Sequence, residues 1–198
     1  MERVLFVRHG ESEYSAKALV NGVPSVACPL TQVGRRQAEQ LGERLVGEPI
    51  ELCVVTEFGR THETADLILG DRDVPRLVLA DLNDPFYGQF EDGPLSAYRA
   101  WAATHGPMDA PPGGGETRIA IASRYVRGFR TILERLEATI LVVCHSLPIA
   151  FAVAAADGRS PSAKMPMITY AEPHVLYESD LAEAVERLEA WTRDPVYS

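Results

Sequence analysis

The chain has 198 residues, 46% of them hydrophobic and 24% charged, with a formal net charge of −9. This composition excludes a disordered chain, and the acidic balance speaks against nonspecific binding to nucleic acid or to anionic lipid. No stretch approaches the ~20 apolar residues of a membrane span, and no signal peptide is expected, because Arg3 interrupts the first apolar run and Arg8 closes it.

"RVLFVR" at 3–8 reads as the first strand. Residues 30–47 follow as a helix, with Thr31 as N-cap and Val33, Ala38, Leu41 and Leu45 at helical spacing. A strand at 50–56 leads into a helix at 60–69, and a third strand spans 76–80. Residues 81–115 are loop-rich, holding six Gly, five Pro and five aromatic residues, and read as a cap with one short helix around Ser96 to Thr104. The longest helix, at 116–137, precedes a strand at 139–145, a helix at 146–156 and a last helix at 179–193 behind Ser179 as N-cap. Most of the strands are continuously apolar, as in a parallel sheet buried on both faces. Strands alternating with helices imply βαβ units and an α/β sandwich, and residues 1–198 read as a single domain. Cys28, Cys53 and Cys144 are scattered and odd in number, which suits reduced thiols in a cytosol better than a disulfide framework or a metal site.

The strand ends carry the chemistry. If the strands are parallel, Arg8, His9, Arg60, Asp84 and His145 collect at the carboxyl edge of the sheet, where α/β proteins bind ligands. Two guanidiniums and two imidazoles repel one another unless an anion sits among them, and Arg matches phosphate oxygens with planar paired donors. Gly10 lets the backbone approach an oxyanion, and the helix beginning at Ser146 turns its positive end the same way. Taken singly, each residue has a plainer reading: a polar strand exit for Arg8-His9, a core histidine for His145, a turn initiator for Asp84-Pro85. Arg60 reads singly as a helix-start arginine, although a cation in the first turn of a helix opposes the dipole. Together the residues describe a phosphate site.

"VLFVRHGES", "PLTQVGRRQAEQL", "GRTHETA", "GGGET" and "ILVVCHS" resemble, in order and spacing, the histidine phosphatase superfamily, whose fold is the phosphoglycerate mutase-like three-layer α/β sandwich with a mostly parallel central sheet. The resemblance runs from Val4 to about Tyr177. It implies that His9 is the nucleophile, that Arg8, Arg60 and His145 bind the equatorial phosphoryl oxygens, and that an acid protonates the leaving alkoxide. The family's L-x-E-x-x-x-G pattern falls on Leu82 to Gly88, which makes the acid Asp84, with Asp81 and Glu91 as rivals. Ser15 and Asn21-Gly22 stand where many members carry Asn and Gln-Gly, so Ser15, Asn21 and Ser146 are expected to contact substrate, the first two with shorter reach. No metal or organic cofactor is required.

The leading expectation is a cytoplasmic phosphomonoesterase acting on a small phosphorylated metabolite through phosphohistidine. A phosphoglycerate mutase is the first alternative, and a weakly active phosphate-binding or interaction member the second. A metal site built from His9, His62 and His145 lacks a carboxylate or cysteine at ligand spacing, and the arginines would repel the cation. The amphipathic last helix covers the sheet or serves a homodimer interface. The cap aromatics Phe86, Tyr87, Phe90, Tyr98 and Trp101 suggest an apolar or ring-bearing leaving group unless they merely pack the loop.

Overall fold

The computed structural model describes residues 1–197. Five strands form one sheet in the order β3-β2-β4-β1-β5: β1 (Arg3–Arg8), β2 (Leu52–Val55), β3 (Arg76–Val78), β4 (Thr139–Cys144) and β5 (Pro173–Tyr177). Neighbours run parallel except β5, which pairs antiparallel with β1. The helices are α1 (Glu13–Ala16), α2 (Gln32–Arg44), α3 (Gly59–Leu69), α4 (Leu95–Ala102), α5 (Arg118–Leu133), α6 (Ser146–Ala156) and α7 (Glu178–Arg193).

The strand pleat sorts the core into two layers, because successive side chains point to opposite faces. Val4, Phe6, Val54, Ile140 and Val142 pack with α5, α6 and α7, where Phe6 meets Phe129 edge-on at 5.7 Å. Leu5, Val7, Val55, Leu141 and Val143 pack on the other face with α2 and α3. Burial on both faces explains the unbroken apolar runs of β2 and β4, and with them the three-layer α/β sandwich. Cys28, Cys53 and Cys144 are free, buried thiols, Cys53 and Cys144 within these two layers. Among the described residues no helix is long and apolar enough to cross a membrane.

Several boundaries differ from the sequence reading. β2 is shorter than 50–56, and β3 stops at Val78, where a 3-10 turn at Ala80–Leu82 redirects the chain. α5 starts behind Thr117, whose side chain accepts from the Ala120 N–H, and ends at Leu133. Ser179 is not a cap: α7 starts at Glu178, and the Asp180 carboxylate accepts from the Tyr177 N–H at 3.0 Å. Thr31 does cap α2, but Val33 is 45% exposed, and Gly34 faces inward with Ala38 and Leu41. β5 is a five-residue edge strand that buries Leu176 between exposed neighbours, too short to stand out, with its proline at the first position, where an edge tolerates it. In the cap, Val20, Tyr87, Tyr98 and Ala102 form a small core of their own, backed by Phe90, Leu95 and Trp101.

One contact sets the loop that follows β1. A Cβ at Gly10 would overlap the Gly34 carbonyl, and a Cβ at Gly34 would overlap the Glu11 carbonyl. The start of α2 therefore lies directly against the His9-Gly10-Glu11 turn, and Thr31 Oγ1 donates to the Glu11 carboxylate at 2.8 Å. Gly34→Ala forces these backbones apart. Denaturant unfolding should show a loss of about 1–3 kcal/mol, the range for overpacking a tight contact, and a wild-type midpoint would refute the fit.

Candidate active site

Register brings the site together. β1 and β4 pair up to Arg8 and Cys144, so His9 and His145 leave the sheet side by side, and the His9 N–H donates to the Cys144 carbonyl at 3.0 Å. Their rings meet edge-on with centroids 5.4 Å apart. β2, on the far side of β4, delivers Thr56 and then α3, whose second residue is Arg60. The turn after β3 delivers Asp84. All five strand-end residues named from the sequence meet here.

Arg60 is 4% exposed and is the hub. Its Nε donates to His9 Nε2 at 3.1 Å, and its Nη1 to Asn21 Oδ1 at 2.7 Å. Its Nη2 lies 3.2 Å from Asp84 Oδ2, 3.2 Å from the Asn21 carbonyl and 3.3 Å from His145 Nδ1. Arg8 stacks over Tyr170, its Cζ 3.7 Å from the ring centroid, and its Nη1 donates to the Ile168 carbonyl at 2.7 Å. The buried Arg8 Nε has no protein partner.

These bonds dictate protonation. Arg60 is always a donor, so His9 Nε2 must carry a lone pair, and the proton sits on Nδ1, which donates to the Gly10 carbonyl at 2.7 Å. By the same logic His145 accepts at Nδ1 and donates from Nε2 to Thr56 Oγ1 at 2.9 Å. Burial, then Arg60 and Arg8, hold the His9 ring well below its ordinary value. Burial and Arg60 do the same to His145. Asp84 moves up, because burial outweighs the pull of Arg60, Arg8 and Arg124. The site thus holds an unprotonated ring nitrogen beside a carboxyl group biased toward its acid form.

The acids that rivalled Asp84 are occupied elsewhere. Asp81 pairs with Arg127 at 2.8 Å on the surface. Glu91 braces the cap, accepting from the N–H groups of Tyr87 at 2.7 Å and Gly22 at 2.8 Å. Asn21 is buried and holds Arg60 in place. Ser15 borders the cavity, its Oγ 2.9 Å from Ser12 Oγ, and the Ser146 Oγ accepts from the Ile168 N–H at 2.9 Å, tying down the segment under Arg8. His62 points away, to the Thr56 carbonyl at 2.9 Å. Among the described residues no three His, Cys, Asp or Glu side chains are arranged to hold a metal ion. The sequence reading missed Thr56 and Tyr170. Thr56 could have been found by the strand-end logic that found Arg60, whereas Tyr170 lies in a stretch with no pattern.

The cradle is the floor of a cavity of about 290 Å³. Of the five cap aromatics, Tyr87 and Tyr98 line it, whereas Trp101 stacks on His105 at 4.3 Å and Phe90 packs on Tyr98. Most of the cap's aromatic surface therefore holds the cap together.

A parallel sheet with a histidine and two arginines at its carboxyl edge defines a phosphate-handling α/β protein. The model of the histidine phosphatase superfamily (branch 1) matches residues 4–193, and the chain belongs to that family. It is 31% identical over 156 residues to the adenosylcobalamin/alpha-ribazole phosphatase of Salmonella typhimurium, covering 72% of this chain and 73% of that protein. It is also 31% identical over 176 residues to a 2,3-bisphosphoglycerate-dependent phosphoglycerate mutase of Methylobacterium, covering 80% and 82%. The crystal structure of the alpha-ribazole phosphatase from Shigella flexneri superposes with a TM-score of 0.74 at 26% identity, over 87% of this chain and 89% of that one.

The buried rings make stability depend on pH. Their folded values lie well below the ordinary 6.5, so the unfolded chain takes up protons first as the pH falls. Their contribution is present above pH 6.5 and is lost below it, by up to ~1.4 kcal/mol per pH unit for each ring. Asp84 has the opposite sign, its contribution being lost as the pH rises through its raised folded value. Urea unfolding at stepped pH should therefore show a shallower acid-side slope for His145→Gln than for wild type. Equal slopes would mean that the His145 ring takes up its proton as readily in the fold as in the unfolded chain.

Proposed function

We propose that this histidine-type phosphatase is a phosphomonoesterase that hydrolyses a small phosphorylated metabolite through a phosphohistidine on His9. The observation that carries the reading is the His9 ring, with its Nδ1 proton held on the Gly10 carbonyl and its Nε2 lone pair facing the arginine cluster.

In the first step the Nε2 lone pair attacks phosphorus and the bond to the alcohol oxygen breaks. Asp84, as the acid, gives its proton to the departing alkoxide. Arg8 and Arg60 meet the equatorial oxygens, where transition-state charge accumulates. A bound dianion also favours a proton on His145 Nδ1, turning that ring into a further donor. In the second step Asp84 takes a proton from water, the water oxygen attacks phosphorus, and the P–N bond breaks to release inorganic phosphate and neutral His9. Asn21 positions Arg60, and Ser15 and Ser146 lie where they can touch substrate or hold the walls that do.

The similarity to a bisphosphoglycerate-dependent mutase supports a second reading, in which the phosphoryl group passes from His9 to another hydroxyl instead of to water. Phosphate release from a panel of phosphorylated metabolites, alpha-ribazole phosphate included, with and without added bisphosphoglycerate, separates the two. Release without it supports the phosphatase, and isomerisation that requires it supports the mutase.

His9→Ala should lower turnover at least ~10³-fold, and acid-labile, base-stable labelling by a phosphodonor should disappear with it. Substantial residual activity would refute the covalent route. Asp84→Asn should slow hydrolysis of alkyl phosphates by about 10²–10⁴-fold. It should spare more of the rate with p-nitrophenyl phosphate, whose leaving group departs without a proton. Equal losses on both substrates would remove Asp84 from the role of acid.

A further inference from the structure

Above the cradle the cavity wall turns apolar, with Leu19, Val20, Leu95, Ala102, Leu147 and Met165. Set in this wall are three more cations, Arg99, Arg118 and Lys164. Among the described lining residues the one acid is Asp84, which is paired with Arg60. The upper chamber therefore carries positive charge with no carboxylate to meet it.

Arg118 is the anomaly within that group. It is 7% exposed, yet among the described residues it has no ion-pair partner. Its Nη2 makes one long hydrogen bond, 3.4 Å to the Ala163 carbonyl, and its buried Nη1 makes none. It is also the first residue of α5, where the helix dipole opposes a positive charge. Its Cζ also lies 5.9 Å from the Phe151 ring centroid. Burying a cation without a carboxylate to pair with is costly, and a fold under no other constraint would place an apolar residue there. Arg60 presents the same combination, a buried cation in the first turn of a helix beside the same cavity, and Arg60 belongs to the phosphate cradle. None of the cradle's hydrogen bonds involves Arg118.

We propose that Arg118, with Lys164 and Arg99 lining the same cavity, is a second anion-binding site for the leaving group. The favoured substrates are phosphate monoesters whose alcohol has an apolar body and carries a further anionic group, either a carboxylate or a second phosphate. The apolar wall holds the body, and the planar donors of Arg118 pair with the anion. This inference rests on the phosphatase reading and adds the class of alcohol that the reading left open.

The test compares hexyl phosphate, 6-phosphonooxyhexanoate and 1,6-hexanediol bisphosphate, which share one six-carbon body. Wild-type kcat/KM should favour the two anionic esters over hexyl phosphate by about tenfold or more, and whichever ranks higher identifies the anion as carboxylate or phosphate. Arg118→Met should remove about ten- to a hundredfold from the anionic esters, mainly through KM, and leave hexyl phosphate within about threefold, with Arg118→Lys recovering part of the loss. Because Met removes an uncompensated buried charge, the variant's Tm should hold or rise. Calorimetric titration with 6-phosphonohexanoate and hexylphosphonate, which cannot be hydrolysed, asks the same question without turnover. If the wild type hydrolyses none of the esters but Arg118→Met selectively loses the carboxylate-bearing phosphonate, the phosphatase reading falls and the anion site stands. If the wild type shows no preference, or if all three esters weaken together with a lower Tm, Arg118 is structural and the proposal is overturned.

Discussion

The site depends on one buried guanidinium. Arg60 cannot release its proton, so every group it touches must be an acceptor: His9 Nε2, His145 Nδ1, the Asn21 side chain and carbonyl, and the Asp84 carboxylate. That requirement leaves both imidazoles neutral and keeps the His9 lone pair on Nε2, facing Arg60 at the cavity floor. The fold holds this cation at the unfavourable end of a helix by packing its Cζ 4.1 Å from the Phe58 ring centroid. Thr64 then links Arg60 to the nucleophile's loop, its Oγ1 donating to the Arg60 carbonyl at 2.7 Å and accepting from the Gly10 N–H at 3.1 Å.

The sheet supplies the rigidity this arrangement needs. β1, β4 and β2 are consecutive neighbours, buried on both faces, and end at one edge, so His9, His145 and Thr56 are positioned by ladder hydrogen bonds instead of by loop conformation. The close approach of Gly10 and Gly34 removes the freedom that remains in the β1 loop. Precision of this kind is what a preorganised site for transferring phosphoryl charge demands.

The cap divides its acids by task. Asp84 sits over the cradle beside Arg60, Glu91 accepts two backbone N–H groups and so holds the cap's entry turn, and Asp81 lies outside with Arg127. Three carboxylates within eleven residues thus have three different environments. Their chemistry follows from what each one faces, and residue type alone does not distinguish them.

Much of this was legible in the sequence. Short β-branched apolar runs read as strands covered on both faces, and the polar residues that follow them fall at the sheet edge. Arg8, His9, Arg60, Asp84 and His145 could therefore be named before any coordinates. The β5 edge strand was not legible, because five residues that bury one leucine between the exposed Val175 and Tyr177 carry little periodic signal. Neither was the stacking of Tyr170 under Arg8, nor the part Asn21 plays in holding Arg60, since both join segments far apart in the chain. The sequence determined which chemical groups are present and on which strand ends they sit. Only the tertiary structure decided which nitrogen of His9 is free and which acid is desolvated, because protonation depends on the distances to neighbours that folding brings together.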